Sequence, residues 1–251
     1  MGCWPADVPA SAHLFVATAA DLAGDMEVAG EDGHHLARVL RLRAGETVTV
    51  ADGSGAWRPY RITSVGGAAV HLEAAGPLQQ EPVPATRLAV AFALTKGDKP
   101  DLVVQKLTEL GVDRIVPVLG ERSVSRPAPD RAGAAVERWR RIAREAARQC
   151  RRATLPVVEE LAPLATLSGH TGLVVAERGG LPADALGFPP GDEILVLVGP
   201  EGGLADAEVE GVKPWARLDL GAHILRAETA ALAAAAILAT RRLGADGEWP
   251  T

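Results

Sequence analysis

Aromatic residues make up only 4% of this 251-residue chain, so its core must be assembled mostly from Ala, Val and Leu. Cysteine is scarcer still. Cys3 and Cys150 are too few for a disulfide framework, and no CxxC or His/Cys cluster suggests zinc. No metal is expected, and a reducing cytoplasm fits best. The chain lacks an apolar run of about 18 residues without charge, because ALAAAAILAT is too short to span a bilayer. Its first residues, MGCWPADVPASAHLF, have neither a basic start nor a long apolar stretch, so they do not read as a signal peptide. No membrane partner is expected. Both standard phosphate-binding fingerprints are missing: there is no GxxxxGKS/T, and no GxGxxG follows a strand pattern. That absence weakens a nucleotide-dependent dehydrogenase.

Positive charge is in deficit overall, with a formal net charge of −6 and a pI near 5.6. Its distribution says more than its sum. Arginines crowd the stretch from Arg122 to Arg152, which includes Arg126, Arg138, Arg140, Arg148 and Arg151 and is opposed only by Asp130, Glu137 and Glu145. A second basic group comprises His34, His35, Arg38, Arg41 and Arg43. One such run reads most simply as a solvated helical face with local ion pairs. Two separate patches in an acidic protein favour an anionic partner, since guanidinium suits bidentate phosphate contacts.

The first seventy-odd residues read as short strands, HLFVAT, ETVTVADG, YRITSV and AVHLEAAG, with DGSG as a hairpin signal. Among them only GHHLARVLRLRAG has helical spacing, which suggests a small barrel over 12–75. The polar stretch 76–87, with three prolines, reads as a linker. From Leu88 the pattern changes to alternating strand and helix, with continuous apolar strands. The expectation for 88–246 is an α/β domain with a mainly parallel sheet covered on both faces.

Two loops in that second part carry candidate chemistry. In EILVLVGPEGGLADAE a strand runs into Gly199, Pro200, Glu201, Gly202 and Gly203. A carboxylate inside a phosphate cradle would repel its ligand, so Glu201 favours a ligand without phosphate. S-adenosyl-L-methionine meets that description. A tight turn with no ligand reads equally well. In LDLGAHILRAETAAL a strand is followed by Gly221, a short connection, and Arg226 and Glu228 at the start of the last helix.

LVGPEGGL followed by LGAHILRAETAAL resembles the signature of the SPOUT methyltransferases, and in detail the RsmE family of RNA methyltransferases. KGDKPDLVVQKLTELGVDRIVPVLGERSV is similar to that family's mid-chain block, and HLARVLRLRAGETVTVADGSG to its PUA-like RNA-binding domain. The resemblance spans nearly the whole chain. It implies methylation of N3 of a uridine in 16S ribosomal RNA, with S-adenosyl-L-methionine as cofactor, a trefoil knot in the catalytic domain, and a homodimer. The cofactor site would then include Ala176, Gly199, Glu201, Gly202, Gly203, Leu220, Gly221, Leu225, Arg226 and Thr229. Arg226 and Glu228 would be catalytic, while His35, Arg38, Arg41, Arg122, Arg126, Arg148 and Arg152 would meet RNA. Where the family often has an acidic residue before QCGR, this chain has Arg148-Gln149-Cys150-Arg151-Arg152. A SPOUT ribose 2′-O-methyltransferase and a non-catalytic RNA-binding protein of ribosome assembly stay open as alternatives.

Overall fold

A computed structural model of the chain describes residues 4–16, 18–67, 69–187, 189 and 191–245. Cys3 and Asp246 lie outside the described residues. By its contacts the chain divides into two units, Met1–Val83 with Ala147–Leu155, and most of the remainder from Pro84 onward.

The first unit is built on a mixed sheet of β1 (Ala12–Phe15), β2 (Met26–Val28), β3 (Thr47–Ala51), β4 (Ala56–Gly66), β5 (Ala69–Ala74) and β6 (Gln79–Gln80). Its order is β1-β3-β4-β5-β2, with β6 beside β4. The expected hairpin joins β3 to β4, and the Asp52 carboxylate shapes it by accepting from Ser54 N and Ala56 N. Val48, Val50, Tyr60, Ile62, Val70 and Leu72 alternate inward to form the core, together with Leu36. Leu36 lies in the π turn His35–Val39, which continues α1 (Gly30–His34).

Two features depart from the sequence reading. Residues 76–87 are not all linker, because Gln79–Gln80 add to the sheet and Glu81 is buried. The Glu81 carboxylate tolerates burial by accepting from Ala153 N and the Thr154 hydroxyl. Those partners lie in Ala147–Leu155, a segment that sequence assigned to the second domain but that packs in the first unit.

The second unit holds an all-parallel sheet: β7 (Arg87–Ala93), β8 (Arg114–Leu119), β9 (Val157–Val158), β10 (Ala162–Pro163), β11 (Leu173–Leu181), β12 (Glu193–Val198) and β13 (Ala216–Leu218). Its order is β10-β8-β7-β12-β11-β13, with β9 beside β8. Both faces are covered. Leu88, Val90 and Phe92 meet α2 (Lys99–Glu109), α3 (Pro129–Cys150) and α5 (Ala227–Ala245), while Ala89, Ala91 and Ala93 face Val209 and Val212 of α4 (Asp206–Val212). On α3 the buried Val136, Trp139, Ala143 and Ala146 recur at helical spacing. No helix among the described residues is long and apolar enough to cross a membrane.

His13 gives the first unit a pH dependence. Its Nε2 lies 3.1 Å from the Arg152 carbonyl oxygen and so carries the proton and donates there. Nδ1 is left to accept from the Thr49 hydroxyl at 2.6 Å. Burial pushes the imidazole down from 6.5 to about 4. Between these values the unfolded chain binds the extra proton, so the contribution is complete above pH 6.5 and is lost as pH falls towards 4. The loss amounts to about 3 kcal/mol. Urea titrations from pH 7.5 to 4.5 should show it, and His13→Asn should flatten the pH dependence. An unchanged slope in the variant would assign the effect elsewhere.

Candidate active site

Because every strand of the second sheet runs the same way, all their C-terminal ends share one edge, where open α/β sheets bind ligands. There the segments after β12 and β13 meet the middle of β11 around a cavity of about 310 Å3. β11 opens because Ala176 and Leu181 both pair with Leu218, which leaves residues 177–180 out of the ladder. Ala176, Glu177 and Arg178 line the cavity from that side.

Of the residues expected at a cofactor site, Ala176, Gly199, Glu201, Gly203, Leu220, Gly221 and Leu225 line this cavity. Gly202, Arg226 and Thr229 do not. Gly202 instead turns its carbonyl to Arg122, and Thr229 lies exposed in the first turn of α5. Gly199 cannot be replaced cheaply, since a Cβ there would lie 2.9 Å from Leu204 Cγ. Gly221 holds φ at +120° with open space where a side chain would stand.

The charged groups are arranged as braces. Lys99, the first residue of α2, places its ammonium 3.0 Å from Glu201 Oε1 and 3.4 Å from Glu228 Oε2. The hydrogen bond from Lys99 holds the Glu201 carboxyl below its usual range and raises the lysine in turn. Glu228 Oε2 is at ion-pairing distance only, with no hydrogen bond among the described residues. Asp219 joins two walls by accepting from Gly221 N and Gly179 N, each at 2.8 Å, and these donors pull its carboxyl down. Arg122 donates to the carbonyls of Gly202 and Leu204, while Glu208 accepts from Ala205 N and Glu121 N. Ala205 caps α4 with no side-chain oxygen of its own, so Glu208 at the third helical position supplies one. Arg226 is exposed between Leu225 and Ala227, which both line the cavity, and its guanidinium has no partner among the described residues.

The expected RNA contacts separate into two groups. His35, Arg38 and Arg41 are exposed on the first unit. Arg122 and Arg126 are exposed on the second, but Arg126 donates to the carbonyls of Gly120 and Glu121 as Arg122 does to the glycine loop. Arg148 is only 17% exposed and pairs with Asp32 at 2.6 Å, which ties the end of α3 to α1. Arg152 is half-buried, and its carbonyl accepts from His13. Lys99, Asp219 and Glu208 were not marked from sequence. One signal was available for the first: a lysine opening a helix opposes the helix dipole unless acids answer it.

Residues 81–239 match the RNA methyltransferase domain family, and residues 28–74 match the RNA methyltransferase PUA domain. The Bacillus subtilis ribosomal RNA small subunit methyltransferase E is 32% identical over 222 residues, covering 82% of this chain and 86% of that protein. This chain belongs to the RsmE family. The enzyme of the same name from Mycobacterium bovis is 29% identical and covers 91% of this chain and 92% of its own length. An RsmE structure from Neisseria gonorrhoeae, bound to S-adenosyl methionine, superposes with a TM-score of 0.76 at 27% identity, over 92% of this chain and 97% of that one. A Legionella pneumophila protein in complex with the same cofactor gives 0.79 at 25%, over 96% and 100%.

The cavity suits the cofactor of this RsmE chain. It has the size of a small-molecule site, for which about 300–1,000 Å3 is usual. Gly203 and Gly221 leave open the space a Cβ would fill, and Val198, Leu220 and Leu225 supply apolar walls. Its acids, Glu177, Glu201 and Asp219, suit amines and hydroxyls better than phosphates. No group of three or more His, Cys, Asp or Glu able to hold a metal occurs among the described residues.

If the Asp219 bridge shapes this cavity, Asp219→Ala should weaken S-adenosylmethionine binding about tenfold or more, because two charge-assisted hydrogen bonds are lost. Calorimetry checks it. Native affinity in a folded variant would remove Asp219 from the site.

Proposed function

We propose that this protein transfers the methyl group of S-adenosylmethionine to N3 of a uridine in small-subunit ribosomal RNA. The observation that carries the reading is Arg226, exposed between two cavity-lining residues and without a partner among the described residues. The bound cofactor supplies an electrophilic methyl on a sulfonium. Uridine N3 carries a proton at neutral pH, so the protein must free its lone pair. Arg226 stabilises the oxygen anion that develops on the base. Glu228, 15% exposed and two residues on, orients that guanidinium or accepts the N3 proton. The cavity's backbone groups align the reactants, and alignment is most of what an in-line displacement needs. Because N3 is hidden in a base pair, the uridine is taken unpaired or flipped out.

The remaining expectations belong to the same reading. A trefoil knot in the second unit belongs to this reading through the family alone. Ile224, 86% exposed at the cavity rim, is an apolar side chain that a second copy would cover in a homodimer. The protein works in the cytoplasm on ribosomal RNA or the small subunit.

Arg226→Ala should abolish methyl transfer and leave the fold intact; normal turnover at saturating RNA and cofactor would exclude Arg226. Nucleoside mapping of ribosomal RNA from cells lacking the protein should show one lost 3-methyluridine. A lost ribose methyl would favour the 2′-O reaction instead.

The first unit presents RNA with an exposed face of His35 and the cationic Arg38 and Arg41. Arg41 sits at φ +55° just past the π turn, with Leu42 N bonded to the Leu36 carbonyl, in a position that usually takes glycine. Its side chain has no partner among the described residues. Arg41→Gly should therefore stabilise the protein by about 1 kcal/mol. The same change should weaken RNA binding and lower its salt slope by about one. Unchanged RNA affinity would remove Arg41 from the interface.

A further inference from the structure

We propose that Lys99 is a positioning residue of the methyl-transfer site, its single ammonium fixing the cofactor loop against the segment that carries Arg226. The inference rests on the methyl-transfer reading above and concerns a residue outside the cavity lining. Lys99 comes from α2, which follows β7, and it reaches two other elements. Glu201 belongs to the loop after β12, the strand hydrogen-bonded to β7, and Glu228 to the first turn of α5. The distances are 3.0 Å and 3.4 Å, and the lysine side chain is 27% exposed. One cation thus ties three connections at the C-terminal edge of the sheet.

The placement runs against local preference, which is why it points to the site. The first turn of a helix favours acids, and a cation there meets the positive end of the dipole. Asp101, the acid in the first turn of α2, does not answer Lys99: its carboxylate accepts from Trp139 Nε1 at 3.1 Å and pairs with Arg138. What compensates Lys99 is the pair of carboxylates on the two ligand-binding connections. Without the ammonium, Glu201 and Glu228 would repel each other across the gap, with Lys96 the other cation acting on Glu201. The loop Gly199–Gly203 would then move relative to Arg226.

The two tethers should separate in measurement. Glu201 lines the cavity, so losing its tether should weaken cofactor binding. Glu228 neighbours Arg226, so losing its tether should lower kcat. In Lys99→Met, S-adenosylmethionine affinity by calorimetry and kcat at saturating substrates should each fall about tenfold or more, the scale of a small misplacement. Lys99→Arg keeps the cation and should recover most of both losses. A native affinity and native kcat in folded Lys99→Met overturn the proposal. So does an arginine variant as impaired as the methionine one, or a change confined to melting temperature, since either would make the residue a mere surface tie. The calorimetric arm needs no turnover, so it tests Lys99 even if the methyl acceptor proves to be another group. Failure of the native protein to methylate uridine N3 would count against the reaction instead.

Discussion

The all-parallel ladder of the second unit is the constraint on which the site depends. Parallel neighbours cannot be joined by tight turns, so each connection must cross a face of the sheet, most often as a helix. The sheet is thereby buried on both sides, and its strands are apolar at consecutive positions rather than alternate ones. Leu88, Val90 and Phe92 fill one face, while the small Ala89, Ala91 and Ala93 suit the other, against α4. The same parallelism brings the loops after β12 and β13 to one edge and creates the cavity.

At that edge, charge works as structural bracing as much as ligand chemistry. The loop that joins β12 to α4 looks from its composition like a turn with a misplaced acid. In the folded protein Glu201 lines the cavity and is also bonded to Lys99, so the acid that argues against phosphate also anchors the loop. Arg122 and Glu208 hold the same loop through its backbone groups. Asp219 does so for the β11 bulge. A glycine-rich loop gains from such ties because its backbone is otherwise costly to order.

The arginines show how one residue type divides between roles. Arg138 and Arg140 are paired with acids of their own unit, and Arg148 with Asp32. Arg151, at φ +57°, donates to the carbonyls of Val8 and Ala10 and so holds the segment before β1. Arg41, in the same backbone conformation, makes no such contact among the described residues. Counting arginines along the sequence could not separate these cases, because most of these guanidinium partners, Asp101, Glu160, Asp32, Val8 and Ala10, lie far away in sequence.

The sequence by itself determined the order of elements and the two-part plan. Helical spacing locates α2, α3 and α5, while continuous apolar runs bounded by turn residues locate β7, β8 and β12, which are buried on both faces. The residues of LVGPEGGL and LGAHILRAETAAL were marked as a candidate site by the family resemblance they carry, since their local chemistry fits a plain turn equally well. Short pieces such as β2, β6, β9 and β10 were not legible, since two or three residues have no period to read. Only the tertiary structure decided the rest. Glu81, just past β6, is buried rather than exposed in a linker because Ala153 N and the Thr154 hydroxyl donate to its carboxylate. Lys99 meets Glu201 across 102 positions of sequence. Such pairs are brought together by strand order, and strand order is settled by how the whole core packs.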